Sequence, residues 1–355
     1  MSALTTIRSQ LAESLSEAVG LVPIVRINRL APICREQDLY LKLESCNPGG
    51  SIKEKNAVYL IQNAEKHGLL KQGGTIVESS SGNFGIGLAM IGAAKGYRVL
   101  IVVDAKTSPP MRRMLKAYGA ELVDVPLSEA DANGSMQVAR MKKAAALAEE
   151  IPGAWYPCQH RNPLNPHAHT EYTAKEIDTA FGGDLDAIVI GISTAGQLAG
   201  ISYYFQKKHP HTKLIGVDVA GSSILGTPVH PYKMTGLGLS FIPPNFKPDV
   251  LEEAYSVPDE LAFSVCQALA KEEGLLLGAS TGAIVAAGLH YSLNQRGRHR
   301  ILMINPDRGD RYLETVYNED WLKNQNIKIR TGAELLQGIA DLKPVSTTLK
   351  EQKAS

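Results

Sequence analysis

Short runs of apolar, often β-branched residues alternate along this chain with segments whose apolar positions recur at helical spacing. The runs GTIVESS, YRVLIVVD, ELVDVP, LDAIVIGIS, KLIGVDV and HRILMINPD predict strands. Helical patterns such as GNFGIGLAMIGAAKG and GSMQVARMKKAAALAEEI lie between them. This alternation is typical of parallel sheets covered by helices. Because it occurs twice, we predict an α/β fold with two domains and two open, mostly parallel twisted sheets.

The composition narrows the class of protein. The chain has 355 residues, of which 44% are hydrophobic and 21% charged, and this fits a globular protein of two domains. Its net charge of +1, with both signs mixed, argues against a nucleic-acid surface. No apolar run reaches the roughly 20 residues that a membrane helix needs. Residues 1–20 do not have the pattern of a signal peptide. We therefore expect a cytoplasmic protein with neither nucleic-acid nor membrane partners.

The cysteines do not favour a disulfide framework or a metal site. Cys34, Cys46, Cys158 and Cys266 are scattered along the chain and form no CxxC pair. Reduced thiols are the default for this pattern in a cytoplasmic protein, and we expect no bound metal.

Three turns that follow predicted strands carry polar residues, and in open parallel sheets ligands bind beyond the carboxyl ends of the strands. SSSGNFG, residues 79–85, presents backbone N–H groups at a helix start, which suits a carboxylate or a phosphate. Asn83 adds an amide, although a plain capped helix start is an equal alternative. GISTAGQLAG, residues 191–200, is neither a dinucleotide fingerprint nor a P-loop, so a single phosphate monoester fits it better. In the third turn, Asp307, Arg308, Asp310 and Arg311 favour a structural salt-bridge network over a catalytic site.

Lys53 stands at a strand-to-helix junction in NPGGSIKEKNA. A lysine amine becomes a nucleophile when partial burial lowers its pKa. One such lysine, a phosphate cradle and a carboxylate-binding turn together suggest a cofactor held by an imine. Pyridoxal phosphate carries both the aldehyde and the phosphate monoester that this combination requires.

Eight motifs carry a resemblance to a known family: VGLVPIVRINRL, KLESCNPGGSIKEKNA, ESSSGNFGIGLA, KAYGAELV, NPLNPHAH, GLGLSFIP, GASTGA and PDRGDRYL. In this order they resemble the cysteine synthase and cystathionine β-synthase family, the fold type II pyridoxal-phosphate enzymes. The resemblance runs from about Leu15 to Leu322. It implies a tryptophan synthase β-like fold, pyridoxal 5′-phosphate as cofactor, amino acids as substrates, a β-replacement transferase (EC 2.5.1 type) and a homodimer.

The resemblance also assigns roles to individual residues. It implies that Lys53 forms the Schiff base and later takes the Cα proton of the substrate. Asn83 is implied to bond the ring hydroxyl oxygen of the cofactor, and Ser280 to face its pyridine nitrogen. The phosphate is implied to bind Ser193, Thr194, Ala195, Gly196 and Gln197. The substrate α-carboxylate is implied to bind Ser80, Ser81, Gly82 and Gln159.

Departures from the usual cysteine synthase motifs point to one branch of the family. SIKEK, STAGQ and PDRGDRYLETVYNEDWL resemble the N-(2-amino-2-carboxyethyl)-L-glutamate synthases of diaminopropionate and siderophore biosynthesis. Members of that branch use O-phosphoserine and glutamate. Arg140 matches an arginine position of the branch and is a candidate ligand of the phosphate leaving group; the alternative is a solvated charge on a helix. His160, Arg161 and Lys233 are candidates for binding a second amino acid.

Two features favour the sulfide-using enzymes instead. GLGLSFIP is closer to their motif, and His160 stands where the glutamate-using branch is expected to have tyrosine. A cysteine synthase or cystathionine β-synthase therefore stays open, as does a non-catalytic, cofactor-binding regulatory relative.

We expect the domains to divide the chain as follows. Residues 1–44 and 157–340 form a large cofactor-binding domain, and residues 45–156 form a smaller, mobile domain with Lys53 and the substrate loop. Within it, the segment 81–134 is expected to close over the substrate carboxylate. Residues 341–355 are expected to be a disordered tail.

Overall fold

The computed structural model describes residues 11–30, 36–131 and 134–345. Strands β1 to β9 comprise Ile24–Arg26, Asp38–Leu43, Thr75–Ser79, Arg98–Asp104, Glu121–Val125, Ala187–Gly191, Lys213–Val219, Glu253–Val257 and Arg300–Asn305. Helices α1 to α11 comprise Lys53–Lys66, Asn83–Lys95, Pro109–Ala117, Gln137–Glu150, Leu164–Ala168, Lys175–Phe181, Gly196–Lys208, Asp259–Ala268, Ala279–Leu293, Glu319–Asn324 and Gly332–Ala340. A π-helical segment, His169–Ala174, joins α5 to α6.

The strands form two sheets. The larger has the order β1–β2–β9–β6–β7–β8, and the smaller has the order β3–β4–β5. Within the described residues every strand pair is parallel except β1 with β2. Helices cover both sheets, and α9 is buried along nearly its whole length in the core of the larger one. The predicted α/β fold with mostly parallel sheets is confirmed.

Three strands of the larger sheet lie outside the apolar runs that predicted strands. β1 has only three residues, β2 reads DLYLKL and β8 reads EAYSV, so charged or polar side chains interrupt each pattern. Backbone pairing at the ends of the sheet, rather than a continuous apolar run, holds β1 and β8 in place.

The prediction that disorder begins at residue 341 is wrong for residues 341–345. Val345 N donates to Ala254 O at 2.7 Å, and Pro344 forms a β-bridge with Tyr255. Leu342 packs against the core of the larger sheet. Residues 341–345 are therefore ordered, because β8 is an edge strand whose free backbone groups accept a further segment. Residues 346–355 lie outside the described residues.

A buried ionic cluster anchors the helix that begins at Lys53. Lys55 Nζ lies 2.7 Å from Glu44 Oε1 and 2.8 Å from Glu176 Oε2, and Lys42 Nζ lies 2.5 Å from Glu176 Oε2. Glu44 follows β2 and Glu176 lies in α6, so the cluster ties α1 to two elements around the larger sheet. The direction of α1, and with it the position of Lys53, is thereby fixed.

Two further expectations concern membrane helices and disulfide bonds. No helix among the described residues combines the length and the apolar character needed to cross a membrane. Cys46, Cys158 and Cys266 are free thiols. Cys34 lies outside the described residues. The division into domains at residues 44, 156 and 340 stays a prediction.

Candidate active site

A cleft of about 680 Å³ opens at the carboxyl ends of strands from both sheets. Ser79 to Phe84 after β3, Asp104 after β4, Ser193 and Thr194 after β6, and Asp307 after β9 all line it. Because these strands are parallel, residues far apart in the chain meet at one edge of each sheet. The turns that the sequence indicated do converge on one site.

The turn before α1 brings Lys53 to the cleft wall. Glu54 accepts the backbone N–H groups of Gly49 and Ser51 through its two carboxylate oxygens, both at 2.8 Å. Gly50 has a φ of +86°, a conformation that favours glycine. Ile52 N donates to Pro306 O at 2.8 Å, so the turn is also tied to the loop after β9. The glycines and the buried carboxylate hold the helix start in one conformation.

The Lys53 amine faces the cleft without a partner. Among the described residues, no side chain makes a hydrogen bond or ion pair with it. Burial lowers the pKa of Lys53 to about 8. About a tenth of the amine is therefore unprotonated at pH 7, and this form can act as a nucleophile or a base.

The turn between β3 and α2 presents backbone N–H groups to the cleft. Ser80, Ser81 and Gly82 line the cleft, as Asn83 does at the first position of α2. Ser80 lies three residues before α2, and its Oγ accepts from Gly85 N at 2.9 Å, so it satisfies one free N–H group of the first helical turn. The helix start and the anion-binding turn, which the sequence left as alternatives, are thus compatible.

Asn83 makes two hydrogen bonds to the loop after β9. Its Nδ2 donates to Asp307 Oδ2 at 2.7 Å, and Arg311 donates to its Oδ1. Arg308 and Asp310 instead form an exposed pair at 3.0 Å. The interpretation of this turn as a structural salt-bridge network therefore holds for Arg308 and Asp310, whereas Asp307 lines the cleft.

The cradle expected for a phosphate lies at the start of α7. Ser193 and Thr194 line the cleft, and Ala195, with a φ of +59°, directs the chain into the helix. A Cβ at Gly196 would lie 2.0 Å from Asn165 Oδ1, so only glycine fits there. Gln197 Nε2 is buried without a hydrogen-bond partner. The helix N-terminus adds a favourable field for an anion.

Ser280 lies on the cleft wall in the first turn of α9 and is fully buried by its neighbours. Gly236, with a φ of +93°, passes close to it, and a Cβ there would lie 3.4 Å from Ser280 Oγ. The hydroxyl therefore lies between this glycine turn and the helix.

Arg140 is not the solvated helix charge of the alternative interpretation. It lies in α4, lines the cleft and is only 7% exposed. Its Nε lies 3.0 Å from Asp104 Oδ2, and its Nη1 has no hydrogen-bond partner. A buried guanidinium with unused donors suits an anionic ligand.

Gln159 and His160 are neighbours on the wall of the cleft that Lys53 also lines. Gln159 N donates to Glu78 Oε2 at 3.3 Å, and burial raises the pKa of Glu78 to about 8. Burial, followed by the charges of Lys53 and Arg140, lowers the pKa of His160 to about 4. His160 is thus a neutral imidazole near neutral pH, and its Nδ1 has no hydrogen-bond partner.

Two of the residues predicted to bind a second amino acid do not line the cleft. Arg161 and Lys233 are exposed and lie outside the set of residues that line the cleft. Their loops turn these side chains outward, which sequence position near a motif does not reveal. Lys106 and His230 line the cleft instead. Lys106 lies two residues after the end of β4, a predicted strand. Its position after a strand end is therefore the feature of the sequence that could have identified it as a cleft residue.

A polar contact spans the cleft mouth. Ser240 Oγ donates to Gln137 Oε1 at 3.2 Å, and it lies 3.2 Å from the hydroxyl oxygen of Ser135. Ser135 and Gln137 precede and begin α4 beside the smaller sheet, whereas Ser240 lies in the loop between β7 and β8. The expected closure of segment 81–134 stays a prediction, and its residues 132 and 133 lie outside the described residues.

These residues fit pyridoxal 5′-phosphate. Lys53 supplies an amine without a partner for the aldehyde. The start of α7 supplies three features for the phosphate. These are a helix N-terminus, a tight turn in which only glycine fits at position 196, and the unpaired side-chain amide of Gln197. Asn83 and Ser280 line the same cleft and add an amide and a hydroxyl that can bond to the polar atoms of the cofactor ring.

Comparisons with known proteins agree with this fit. The family model of pyridoxal-phosphate dependent enzymes matches residues 15–307. A cysteine synthase of Staphylococcus aureus is 36% identical over 311 residues, covering 87% of this chain and 98% of the relative. The crystal structure of an O-ureido-L-serine synthase has a TM-score of 0.80 at 35% identity and covers 88% of this chain and 99% of its own.

A further solved structure extends the likeness. An O-acetylserine-dependent cystathionine β-synthase from Helicobacter pylori has a TM-score of 0.80 at 34% identity, covering 87% of this chain and 99% of its own. The match to the family model, residues 15–307, extends over both sheets and every turn that lines the cleft. The chain therefore belongs to the cysteine synthase and cystathionine β-synthase family of pyridoxal-phosphate-dependent enzymes, which carry out β-replacement on serine derivatives.

Proposed function

We propose that this enzyme replaces the phosphate of O-phospho-L-serine with the α-amine of L-glutamate, giving N-(2-amino-2-carboxyethyl)-L-glutamate. Arg140 is the observation that carries the proposal. It is a buried cation at the cleft wall with unused donors, and phosphate oxygens accept such charge-assisted hydrogen bonds. An acetate leaving group has less negative charge to stabilise and does not need a buried guanidinium.

The cleft supports a nucleophile larger than sulfide. Polar side chains on its wall, rather than its volume of about 680 Å³, support this, because that volume must also hold the cofactor and the donor. Lys106 and His230 on its wall provide polar groups for the carboxylates of a second amino acid. The resemblance of STAGQ and PDRGDRYLETVY to the glutamate-using branch supports the same choice.

The residues divide the chemistry among them. When bound, pyridoxal phosphate withdraws electrons from the substrate α-carbon. The backbone N–H groups of Ser81 and Gly82 orient the substrate carboxylate. The Lys53 amine, with its lowered pKa, removes the proton from the α-carbon and returns one after the nucleophile has added. Arg140 stabilises the leaving phosphate, and the neutral His160 adds no charge beside the incoming amine.

Cysteine synthase is the second candidate function. The Staphylococcus aureus relative is named a cysteine synthase, and GLGLSFIP resembles the sulfide-using enzymes. The Helicobacter pylori relative, named an O-acetylserine-dependent cystathionine β-synthase, adds homocysteine to the nucleophiles that should be tested. Both alternatives require the same Lys53 and the same cofactor.

The decisive experiment crosses two donors with three nucleophiles. O-Phosphoserine and O-acetylserine are each incubated with sulfide, homocysteine or glutamate, and products are identified by mass spectrometry. We expect the glutamate adduct from O-phosphoserine as the product formed with the highest kcat/KM, and no product from the Lys53→Ala variant. Rapid product formation from micromolar sulfide or homocysteine, with none from millimolar glutamate, would show that the enzyme is a thiol-forming synthase. No product from any combination would support the regulatory alternative.

We also propose a pathway, a cellular compartment and an oligomeric state for the enzyme. The product would supply 2,3-diaminopropionate for siderophore-type biosynthesis in the cytoplasm, and the enzyme would act as a homodimer. Light scattering on the purified holoenzyme tests the homodimer, which a monomer mass of 38.3 kDa would contradict.

A further inference from the structure

The side-chain amide of Asn83 is held between two charged groups of opposite sign. Its Nδ2 donates to Asp307 Oδ2 at 2.7 Å, and Arg311 donates to its Oδ1. A carboxylate accepts only from the amide nitrogen, and a guanidinium donates only to the amide oxygen. A flipped amide would therefore face repulsion at both ends.

Asp307 is itself fixed by its neighbours. It is 1% exposed, and Tyr312 donates its hydroxyl to the same Oδ2 at 2.7 Å. Its backbone oxygen accepts from Asn305 Nδ2 at 2.7 Å. A Cβ at Gly278 would lie 1.9 Å from Asp307 Oδ1, so the glycine leaves just enough room for the carboxylate. The carboxylate thus has one available position, which is beside Asn83.

Arg311 connects this arrangement to the lysine turn. Besides Asn83, it donates to the backbone oxygen of Gly49, four residues before Lys53. The amide of Asn83 and the turn that presents Lys53 are therefore held by the same guanidinium. Both groups line the cleft where the cofactor binds.

We propose that Asp307 is a positioning residue, which with Arg311 holds Asn83 so that its second Nδ2–H donates to an oxygen of the bound cofactor. One amide hydrogen is used by Asp307, and the amide oxygen is used by Arg311. The remaining N–H is the group that Asn83 can offer to a ligand. This arrangement consists of contacts within the chain. It does not depend on which nucleophile the enzyme uses.

The test measures cofactor affinity without any substrate. The dissociation constant of pyridoxal phosphate is determined by equilibrium dialysis for the wild type, Asp307→Ala, Asn83→Ala and the double variant. We expect Asp307→Ala to bind the cofactor about tenfold more weakly, the effect of one charge-assisted hydrogen bond. In the Asn83→Ala background the same change should have no further effect, because Asp307 acts through Asn83.

Two further variants separate positioning from general damage. Asp307→Asn keeps an oxygen that accepts from Asn83 and should stay within about threefold of the wild-type affinity. Asp310→Ala, three positions along the same loop, removes an exposed carboxylate that pairs with Arg308, and it should leave the affinity unchanged. Unchanged affinity in Asp307→Ala, or an equal loss in both Asn83 backgrounds, would overturn the proposal.

A second route covers a variant that fails to fold. If Asp307→Ala cannot be purified, Tyr312→Phe removes the hydroxyl that holds the same carboxylate. We expect a loss of affinity of about two- to fivefold that disappears in the Asn83→Ala background. A loss that persists there would overturn the positioning role. Since no substrate is present, this outcome is independent of the donor and nucleophile assays.

Discussion

Arg140 Nε lies 3.0 Å from Asp104 Oδ2, and both side chains are less than one-tenth exposed. Asp104 ends β4 and Arg140 belongs to α4, so the pair forms where the helix covers the smaller sheet. One carboxylate does not satisfy the five donors of a guanidinium. The pair therefore leaves unused N–H donors of a buried guanidinium at the cleft wall, to which an anionic part of a substrate can bind.

Replacing Arg140 should discriminate between donors. We expect Arg140→Ala to lower kcat/KM for O-phosphoserine by about ten- to a hundredfold, which corresponds to about 1.5–3 kcal/mol for a charge-assisted contact. The value for O-acetylserine should fall much less. Steady-state kinetics with both donors and a common nucleophile measure the difference.

A control on the same helix guards against a general effect of charge. Lys143→Ala removes an exposed cation from α4 and should leave both kcat/KM values unchanged. Arg140→Lys should retain part of the preference, because an ammonium keeps the charge but loses the bidentate geometry. Equal losses for both donors in Arg140→Ala would refute the role in binding phosphate.

The sequence predicted the site better than it predicted the surroundings of the site. Lys53, Asn83, Ser193 and Ser280 follow recognisable turns, and parallel strands bring such turns to one edge. Arg161 and Lys233 failed as cleft residues because the path of a loop decides which way a side chain points. Their neighbours in sequence carry no signal of that path.

The sequence also did not predict contacts between residues that are far apart in the chain. Helical spacing gives the face of α4 on which Arg140 lies, but it does not show that Asp104 covers that face. The contact between Asn83 and Asp307 joins residues 224 positions apart. Strands β1 and β8 were not predicted, because a strand at the edge of a sheet can pair through its backbone without a continuous apolar run.

Lys53 should be required for both colour and turnover. We expect Lys53→Ala to lose the visible absorbance of lysine-linked cofactor and at least about a hundredfold in kcat, since both the covalent link and the base are removed. Absorption spectra and steady-state assays measure the two effects. Lys106→Ala removes another cleft lysine and should keep the absorbance band. Full turnover by Lys53→Ala would contradict the assignment.

The buried cluster beneath α1 should contribute strongly to stability. Lys55→Ala leaves Glu44 and Glu176 buried with one cation fewer, so we expect a loss of about 3–5 kcal/mol in the free energy of unfolding. Lys175→Ala is the matched control, because its pair with Glu171 is about half exposed and is worth at most about 0.5 kcal/mol. Denaturant titrations of the holoenzymes measure both. A loss in Lys55→Ala as small as the control would show that the cluster is not a stabilising anchor.

His160 should make the protein sensitive to acid. Burial and three nearby cations, Lys53, Arg140 and Arg161, lower its pKa from 6.5 to about 4 in the folded state. Between these values the unfolded chain binds a proton that the folded protein rejects, so the stability present above pH 6.5 is lost as the pH falls towards 4. We expect His160→Gln to lose about 1–3 kcal/mol less than the wild type over this interval.

Thermal melting of the holoenzymes from pH 7.5 to pH 4.5 measures this difference in acid sensitivity. His169 contributes in the same direction, because burial lowers its pKa to about 3, so the His160 variant should keep part of the pH dependence. His167→Gln changes an exposed histidine seven positions away and should follow the wild-type curve. If the His160→Gln curve runs parallel to the wild type, His160 is protonated as easily in the folded as in the unfolded protein. With its ordinary pKa of 6.5, about a quarter of the His160 side chains would then carry a charge at pH 7, and the description of His160 as neutral beside the incoming amine would be wrong.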